Sequence, residues 1–141
     1  MSMEKFPKNI KALMCDFDGV FTDNRVLISE KGEEFVFCHR GDGMGIEMLR
    51  EKGLPVLVIS REANPVVKAR CEKMKIPCLH GVLDKKTQLM GWLSERNITP
   101  EEIVYIGNDI NDIECLKIAG CAVVVFDAHP DVMRYADIVL E

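Results

Sequence analysis

The stretch MCDFDGVFTD, residues 14–23, decides the fold because it places three carboxylates directly after a short apolar run. The three acids are Asp16, Asp18 and Asp23. Two like charges 4 Å apart repel by roughly 1 kcal/mol in water and by about 4 kcal/mol at an effective dielectric constant of 20. The stretch therefore predicts a buried strand whose carboxyl end carries an acidic cluster that a cation must neutralise.

Short apolar runs alternate with helical patterns along the rest of the chain. The apolar runs predict strands at residues 11–15, 55–59, 77–79, 103–106, 122–126 and 138–140. Apolar residues at helical spacing predict helices at residues 44–51, 65–74, 86–96 and 109–119. Fully apolar strands that alternate with helices indicate an α/β fold with a parallel sheet covered by helices on both faces.

One segment departs from this alternation. Residues 25–28 and 34–37 are β-prone runs joined by the turn-forming sequence SEKGE, which predicts a β-hairpin flap at about residues 25–37, just after the first strand. We find no repeat, linker or low-complexity segment, so we expect residues 1–141 to form a single domain.

Composition excludes several classes of protein. A net charge of −5 argues against nucleic-acid binding, which requires a basic face. The longest apolar runs, residues 54–59 and 121–126, are too short to cross a bilayer, and the N-terminus lacks the apolar core of a signal peptide. The six cysteines form no Cys-x-x-Cys pair, which favours reduced thiols. We therefore expect a cytoplasmic protein without a membrane partner.

Polar residues follow the predicted strands at the points where the strands end. Asp16 and Asp18 follow the first strand, Ser60 follows the second, Lys85 precedes the third long helix, and Asn108 follows the fourth strand. Because ligands of such sheets bind at the carboxyl ends of the strands, these side chains should converge. Carboxylates, a hydroxyl, a lysine and a glycine turn suit a hard divalent cation together with a phosphate.

Four motifs carry a family resemblance. DFDGVFT (residues 16–22), Ser60, Lys85 and GNDIND (residues 107–112) resemble, in order, the four motifs of the haloacid dehalogenase-like (HAD) phosphatases. Four such motifs in order at strand ends are a specific signal. The resemblance covers the chain from about residue 10 to its end and implies a Rossmann-like parallel sheet without a cap domain.

The resemblance extends to one branch of that family. HRGDGMGIEMLR, VISREANPVV and YIGNDINDIECLKIAG resemble the capless phosphatases of 3-deoxy-octulosonate 8-phosphate and of sialic-acid-type 9-phosphates. They look most like the version found alone, or fused behind the cytidylyltransferase domain, in sialate-activating proteins. A phosphorylated sugar acid is the implied substrate, with a nine-carbon acid favoured by Glu62 and the octulosonate as the other option.

Roles for individual residues follow from the resemblance. Asp16 would be the nucleophile that forms an aspartyl-phosphate, and Asp18 would be the general acid and base. Ser60 would hold a phosphate oxygen, and Lys85 would pair with phosphate and nucleophile. The remaining implied roles are Mg²⁺ binding by Asp16, Asp18, Asn108 and Asp109, substrate binding by Gly19, Arg61 and Glu62, and support of the site by Asp112.

Two departures from the family pattern leave a second function open beside that of a phosphatase. The family usually carries Asp where this chain has Asn108, which removes a negative charge from the cation site, and relatives usually continue into a glycine-rich tail. These departures favour, to some degree, a weakly active or inactive oligomerisation domain of an acylneuraminate cytidylyltransferase. In either case we expect a homotetramer assembled through the hairpin flap, whose two apolar faces cannot both be buried within its own domain.

Overall fold

A computed structural model describes residues 6–141, and a six-stranded parallel sheet forms its centre. The strands of the sheet are β1 (Ala12–Cys15), β4 (Val56–Ile59), β5 (Cys78–Leu79), β6 (Ile103–Gly107), β7 (Cys121–Val124) and β8 (Ile138–Val139). Their spatial order is β5-β4-β1-β6-β7-β8. The chain therefore winds outward in one direction from β1 and then in the other direction from β6. Ligands of doubly wound sheets bind at such a reversal, here between β1 and β6.

Helices cover both faces of the sheet, as the apolar character of its strands requires. The helices are α1 (Arg40–Glu51), α2 (Val66–Met74), α3 (Lys85–Ser94), α4 (Ile113–Ile118) and α5 (Pro130–Met133). On one face, side chains of α1 and α2 pack with Cys15, Val56 and Val58. On the other, side chains of α3, α4 and α5 pack with Met14 and Leu57. The predicted α/β architecture without a cap domain is confirmed.

Two helix predictions were wrong in extent. The first helix begins at Arg40, four residues before the predicted residue 44, with the His39 side chain accepting a hydrogen bond from the Gly41 N–H. Glycines in its first turns had weakened the helical pattern, since glycine costs about 1 kcal/mol in a helix. The predicted helix at 109–119 is instead a 3₁₀ turn, Ile110–Asp112, followed by α4.

The hairpin prediction is confirmed in a shorter form. Strands β2 (Leu27–Ile28) and β3 (Glu34–Phe35) pair antiparallel, and a bridge between Thr22 and Cys38 closes the base of the flap. Five large apolar side chains of the flap are half or more exposed: Val26, Leu27, Ile28, Phe35 and Phe37. Val36, by contrast, packs against the core beneath α1 and α2. Val36 is therefore partly buried within its own domain, whereas the five other apolar side chains of the flap are exposed.

No helix within residues 6–141 is long and apolar enough to span a membrane.

Candidate active site

An open pocket of about 340 Å³ lies at the carboxyl edge of the sheet, where β1, β4 and β6 end. Its lining is strongly polar. The lining residues are Asp16, Asp18, Asn24, Ser60, Arg61, Glu62, Asn108, Asp109 and Asn111. The parallel-sheet topology brings these residues together although 95 positions separate the first from the last in the chain, Asp16 from Asn111.

Lys85 lies beneath the pocket and joins two buried carboxylates. Its Nζ is 2.9 Å from Oδ1 of Asp16 and 2.8 Å from Oδ1 of Asp112. All three side chains are buried. Asp84 caps the start of α3 by accepting a hydrogen bond from the Thr87 N–H, which fixes the backbone next to Lys85. Lys85, the lysine predicted from the motif, is thus the one that contacts Asp16.

The electrostatics of this trio leave a deficit of positive charge. Burial, followed by the carboxylate of Asp112, raises the pKa of Asp16 to about 7, although Lys85 acts against the shift. Burial acts to lower the pKa of Lys85, but Asp16 and Asp112 outweigh it and raise that pKa above its usual value. Two ionised carboxylates and one ammonium carry a net charge of −1. A proton or a metal cation is therefore needed to balance the site.

Asp112 organises the floor of the site through four donors. Its Oδ1 accepts from Lys85 and, over 2.7 Å, from the hydroxyl of Tyr105. Its Oδ2 accepts from the backbone N–H groups of Asn108 and Asp109 at 3.0 and 3.2 Å. A Cβ at Gly107 would lie 2.7 Å from the Asp112 side chain, so glycine is required there. Asp112 thus links the lysine to the turn that follows β6.

Asp18 stands at the pocket wall, half-buried, two residues beyond Asp16. Its Oδ1 accepts a long hydrogen bond, 3.4 Å, from the hydroxyl of Thr22. The same hydroxyl oxygen accepts from the backbone N–H of Gly19 and of Asn24. Burial and the nearby carboxylate of Glu62 raise the pKa of Asp18, which suits a group that must hold and release a proton.

Ser60 ends β4 and is almost wholly buried. Its Oγ accepts a hydrogen bond from the backbone N–H of Glu62 over 3.1 Å, which turns the chain so that Arg61 and Glu62 line the pocket. Glu62 in turn accepts from the backbone N–H of Asn64, whose side-chain amide donates to Glu34 of the hairpin flap. The loop after β4 and the flap are therefore tied together beside the pocket.

Gly19 and Asn108 bring the loops after β1 and β6 into direct contact. Gly19 has φ of 84°, and a Cβ there would lie 1.9 Å from Nδ2 of Asn108. Oδ1 of Asn108 is buried, and within residues 6–141 it has no hydrogen-bond partner. A buried amide oxygen without a hydrogen-bond donor is costly unless a cation takes the place of the missing donor. This oxygen therefore fits the role of a magnesium ligand, which the sequence predicted for Asn108.

The donor set near the pocket is suited to Mg²⁺ but incomplete as a carboxylate cage. Among the described residues, no three His, Cys, Asp or Glu side chains are grouped so that they alone could hold a metal ion. Asp109, a predicted ligand, is exposed, and its Oδ1 instead accepts from the N–H of Ile110 at the start of the 3₁₀ turn. A cation would rely on Asp16, the Asn108 amide, main-chain oxygens and water, as Mg²⁺ commonly does.

The sequence located all ten predicted site residues in one region. Seven of them line the pocket, and the other three, Gly19, Lys85 and Asp112, each contact a lining residue. Tyr105, Thr22, Asn24 and Asn111 were missed. Tyr105 could have been found, because a tyrosine inside a buried strand needs a partner for its hydroxyl.

Comparisons with known proteins agree with this geometry. The family model of haloacid dehalogenase-like hydrolases matches residues 70–141. The 3-deoxy-D-manno-octulosonate 8-phosphate phosphatase of Haemophilus influenzae is 32% identical over 98% of this chain and 77% of its own length. The chain belongs to the haloacid dehalogenase-like hydrolases. The N-acylneuraminate cytidylyltransferase of Oncorhynchus mykiss is 35% identical over 86% of this chain, which spans only 29% of that relative.

Solved structures of this hydrolase family share its fold. An HAD family hydrolase of Streptomyces avermitilis is 49% identical with a TM-score of 0.90, covering 94% of this chain and 76% of its own. The octulosonate 8-phosphate phosphatase of Moraxella catarrhalis, solved with magnesium, phosphate and KDO, is 25% identical with a TM-score of 0.90, covering 95% and 78%. The predicted family is confirmed, and the predicted Mg²⁺ accords with the metal in that relative.

Proposed function

We propose that this hydrolase is a Mg²⁺-dependent phosphomonoesterase acting on a phosphorylated sugar acid. The observation that carries the proposal is the contact between Asp16 and Lys85, 2.9 Å apart beneath a polar pocket that Asp18 also lines. A nucleophilic carboxylate, a charge-neutralising lysine and a carboxyl group of raised pKa are the parts that phosphoryl transfer through an aspartyl intermediate requires.

The proposed reaction has two steps. A carboxylate oxygen of Asp16 attacks phosphorus while the bond from phosphorus to the sugar oxygen breaks, and Asp18 gives its proton to that oxygen. Water then attacks the aspartyl-phosphate, Asp18 takes the water's proton, and inorganic phosphate leaves with Asp16 restored. Ser60 holds a phosphate oxygen, and Lys85 keeps Asp16 oriented and balances charge in both steps.

Asp16, the main-chain carbonyl of Asp18 and an oxygen of the turn at Asn108 and Asp109 are the groups proposed to hold Mg²⁺. The bound cation supplies positive charge that cancels the repulsion between a carboxylate and a phosphate dianion. The buried, unpartnered Oδ1 of Asn108 and the net negative charge around Lys85 support this assignment.

A nine-carbon, sialic-acid-type 9-phosphate is the proposed substrate, ahead of octulosonate 8-phosphate. Glu62, which by the family resemblance favours a nine-carbon acid, lines the pocket beside Arg61. The 35% identity with a cytidylyltransferase that acts on acylneuraminate supports the same choice. Such a reaction would take place in the cytoplasm, in keeping with the free, buried thiols of Cys15, Cys71 and Cys115.

Hydrolysis assays test the function directly. With p-nitrophenyl phosphate as a general probe, we expect turnover with Mg²⁺, none in EDTA, and less than a tenth of the turnover in Asp16→Asn. The matched control is Asp23→Asn, which changes an exposed acid paired with Arg25 outside the pocket. A panel of phosphorylated sugar acids then ranks the nine-carbon and octulosonate substrates. Turnover by Asp16→Asn at a tenth or more of that of the unmodified protein would remove Asp16 from the nucleophile's role.

A second candidate function is a weakly active or inactive oligomerisation domain of a cytidylyltransferase. Asn108, which replaces a charged ligand by a neutral one, favours it, as does the match to the cytidylyltransferase relative. Under this alternative, no sugar-acid phosphate is hydrolysed faster with Mg²⁺ than without it, while the chain still forms a homotetramer through its hairpin flap. A cytidylyltransferase domain would then be its partner.

A further inference from the structure

A cleft of about 410 Å³ between α1 and α2 carries a charge opposite to that of the protein as a whole. Five cationic side chains and one carboxylate, Glu47, line it. The five cations are Arg40, Arg50, Arg70, Lys73 and Lys75. The lining therefore carries +4, whereas the rest of the chain carries −9 to give the net charge of −5. None of these residues lines the candidate active site.

The ordinary explanation for basic residues on helices covers only some of them. Arg50 and Lys73 lie in the last turns of α1 and α2, where cations complement the helix dipole. Arg40, however, is the first residue of α1, the end at which the dipole disfavours a cation. Arg70 lies in the middle of α2. The convergence of these two on the cleft needs another reason.

The two central arginines are held in place by backbone oxygens. Nη1 of Arg50 donates to the carbonyl of Met74 over 3.1 Å, and Nη2 of Arg70 donates to the carbonyl of His39 over 3.0 Å. Nε of Arg70 is buried and finds no hydrogen-bond partner among the described residues. Pre-positioned guanidinium groups match the oxygens of phosphate better than flexible ammonium groups do. Both guanidinium groups line the cleft and are therefore already positioned where an anion could contact them.

The cleft also offers an apolar wall. Met44, which is 62% exposed, and Met74 line it beside the cations. Methionine side chains are polarisable and adapt to flat rings. The volume of the cleft, about 410 Å³, lies within the range of roughly 300–1,000 Å³ typical of small-molecule sites.

We propose that the cleft between α1 and α2 binds a polyphosphate, with the phosphates on Arg40, Arg50, Arg70 and Lys73. The source of that chemistry is either a nucleoside triphosphate, whose ring would lie on Met44, or an inorganic polyphosphate. This site is separate from the proposed phosphatase centre and goes beyond that function.

Binding is measured by isothermal titration with ATP and with inorganic tripolyphosphate, in EDTA so that the result does not depend on a Mg²⁺-loaded active site. We expect both probes to bind more weakly as salt rises, because the contacts are charged and exposed. Tighter binding of ATP than of tripolyphosphate assigns the ring a contact on Met44, and equal binding assigns the site to the phosphates alone.

Matched variants locate the site. Arg40→Glu combined with Lys73→Glu should weaken binding about tenfold or more, since two attractions become repulsions. The control, Lys68→Glu combined with Lys117→Glu, changes net charge equally at exposed positions outside the cleft and should alter affinity less than about twofold. If the first variant does not fold, amide NMR shifts of the unmodified protein decide, and they should fall on α1 and α2. No binding at millimolar concentration, equal weakening in both variants, or shifts confined to the pocket at Asp16 would overturn the proposal.

Discussion

The hydroxyl of Tyr105 donates a hydrogen bond to Oδ1 of Asp112 over 2.7 Å, with both side chains fully buried. Burial, followed by the carboxylate of Asp112, raises the pKa of Tyr105 well above its usual value, so its proton stays in place. Since Lys85 donates to the same oxygen, the phenol helps to fix the carboxylate that orients the lysine toward Asp16.

Removal of the Tyr105 hydroxyl should destabilise the fold. We expect Tyr105→Phe to lower the free energy of unfolding by about 1.5–3 kcal/mol, the usual value for a hydrogen bond to a charged group. Urea denaturation measures it. Tyr135→Phe, at the other tyrosine of the chain, is the control and should cost less than about 0.5 kcal/mol. Equal losses in the two variants would mean that the bond to Asp112 contributes nothing particular.

Asp16→Asn should stabilise the metal-free protein, and more so as pH rises. The folded-state pKa of Asp16, about 7, lies above the ordinary value of 3.8. Between these values the folded protein holds a proton that the unfolded chain has released, so stability falls with rising pH. Asparagine does not titrate and escapes this loss. Urea denaturation in EDTA from pH 4 to 8 should show the variant's advantage growing until about pH 7. A difference independent of pH contradicts the prediction.

Asn108→Asp should tighten Mg²⁺ binding. The substitution puts a charged oxygen where a neutral one is buried without a partner, and hard cations prefer charged oxygen ligands. Isothermal titration with Mg²⁺ compares the two forms. Asn24→Asp adds the same charge elsewhere in the same pocket and controls for general attraction. Equal or weaker affinity in Asn108→Asp, or an equal gain in the control, means that residue 108 is not a ligand.

The exposed apolar side chains of the hairpin flap predict a homotetramer. Leu27 and Phe35 are cross-strand partners, 63% and 52% exposed, so their face is free to pack against another copy. We expect light scattering to find a tetramer for the unmodified chain and a smaller species for Leu27→Lys combined with Phe35→Lys. Val36 is unsuitable for this test because it packs against the core of its own subunit. A monomer at micromolar concentration for the unmodified chain rules the assembly out.

The sequence could predict that Asp16, Ser60 and Asn108 converge because parallel-sheet topology leaves little freedom. Once Asp16, Ser60 and Asn108 are placed after strands, the order of the sheet brings them to one edge. The specific partner of each buried polar side chain and the exact start of each helix could not be predicted in the same way. The hydrogen bond from Tyr105 to Asp112 joins a strand to a turn. The helix begins at Arg40 although the glycines of its first turns have low helical propensity. Tertiary packing decides both cases.

The close contact between Gly19 and Asn108 has an evolutionary consequence. A Cβ at position 19 would fall 1.9 Å from the Asn108 amide, and the φ of 84° already disfavours other residues. Any larger side chain at either position would require the other loop to move, so changes in side-chain size at the two positions must occur together. Aspartate and asparagine have nearly the same shape, so exchange at position 108 is the step open to the lineage without a compensating change at position 19. Natural variation at this contact should therefore tune charge and leave its size unchanged.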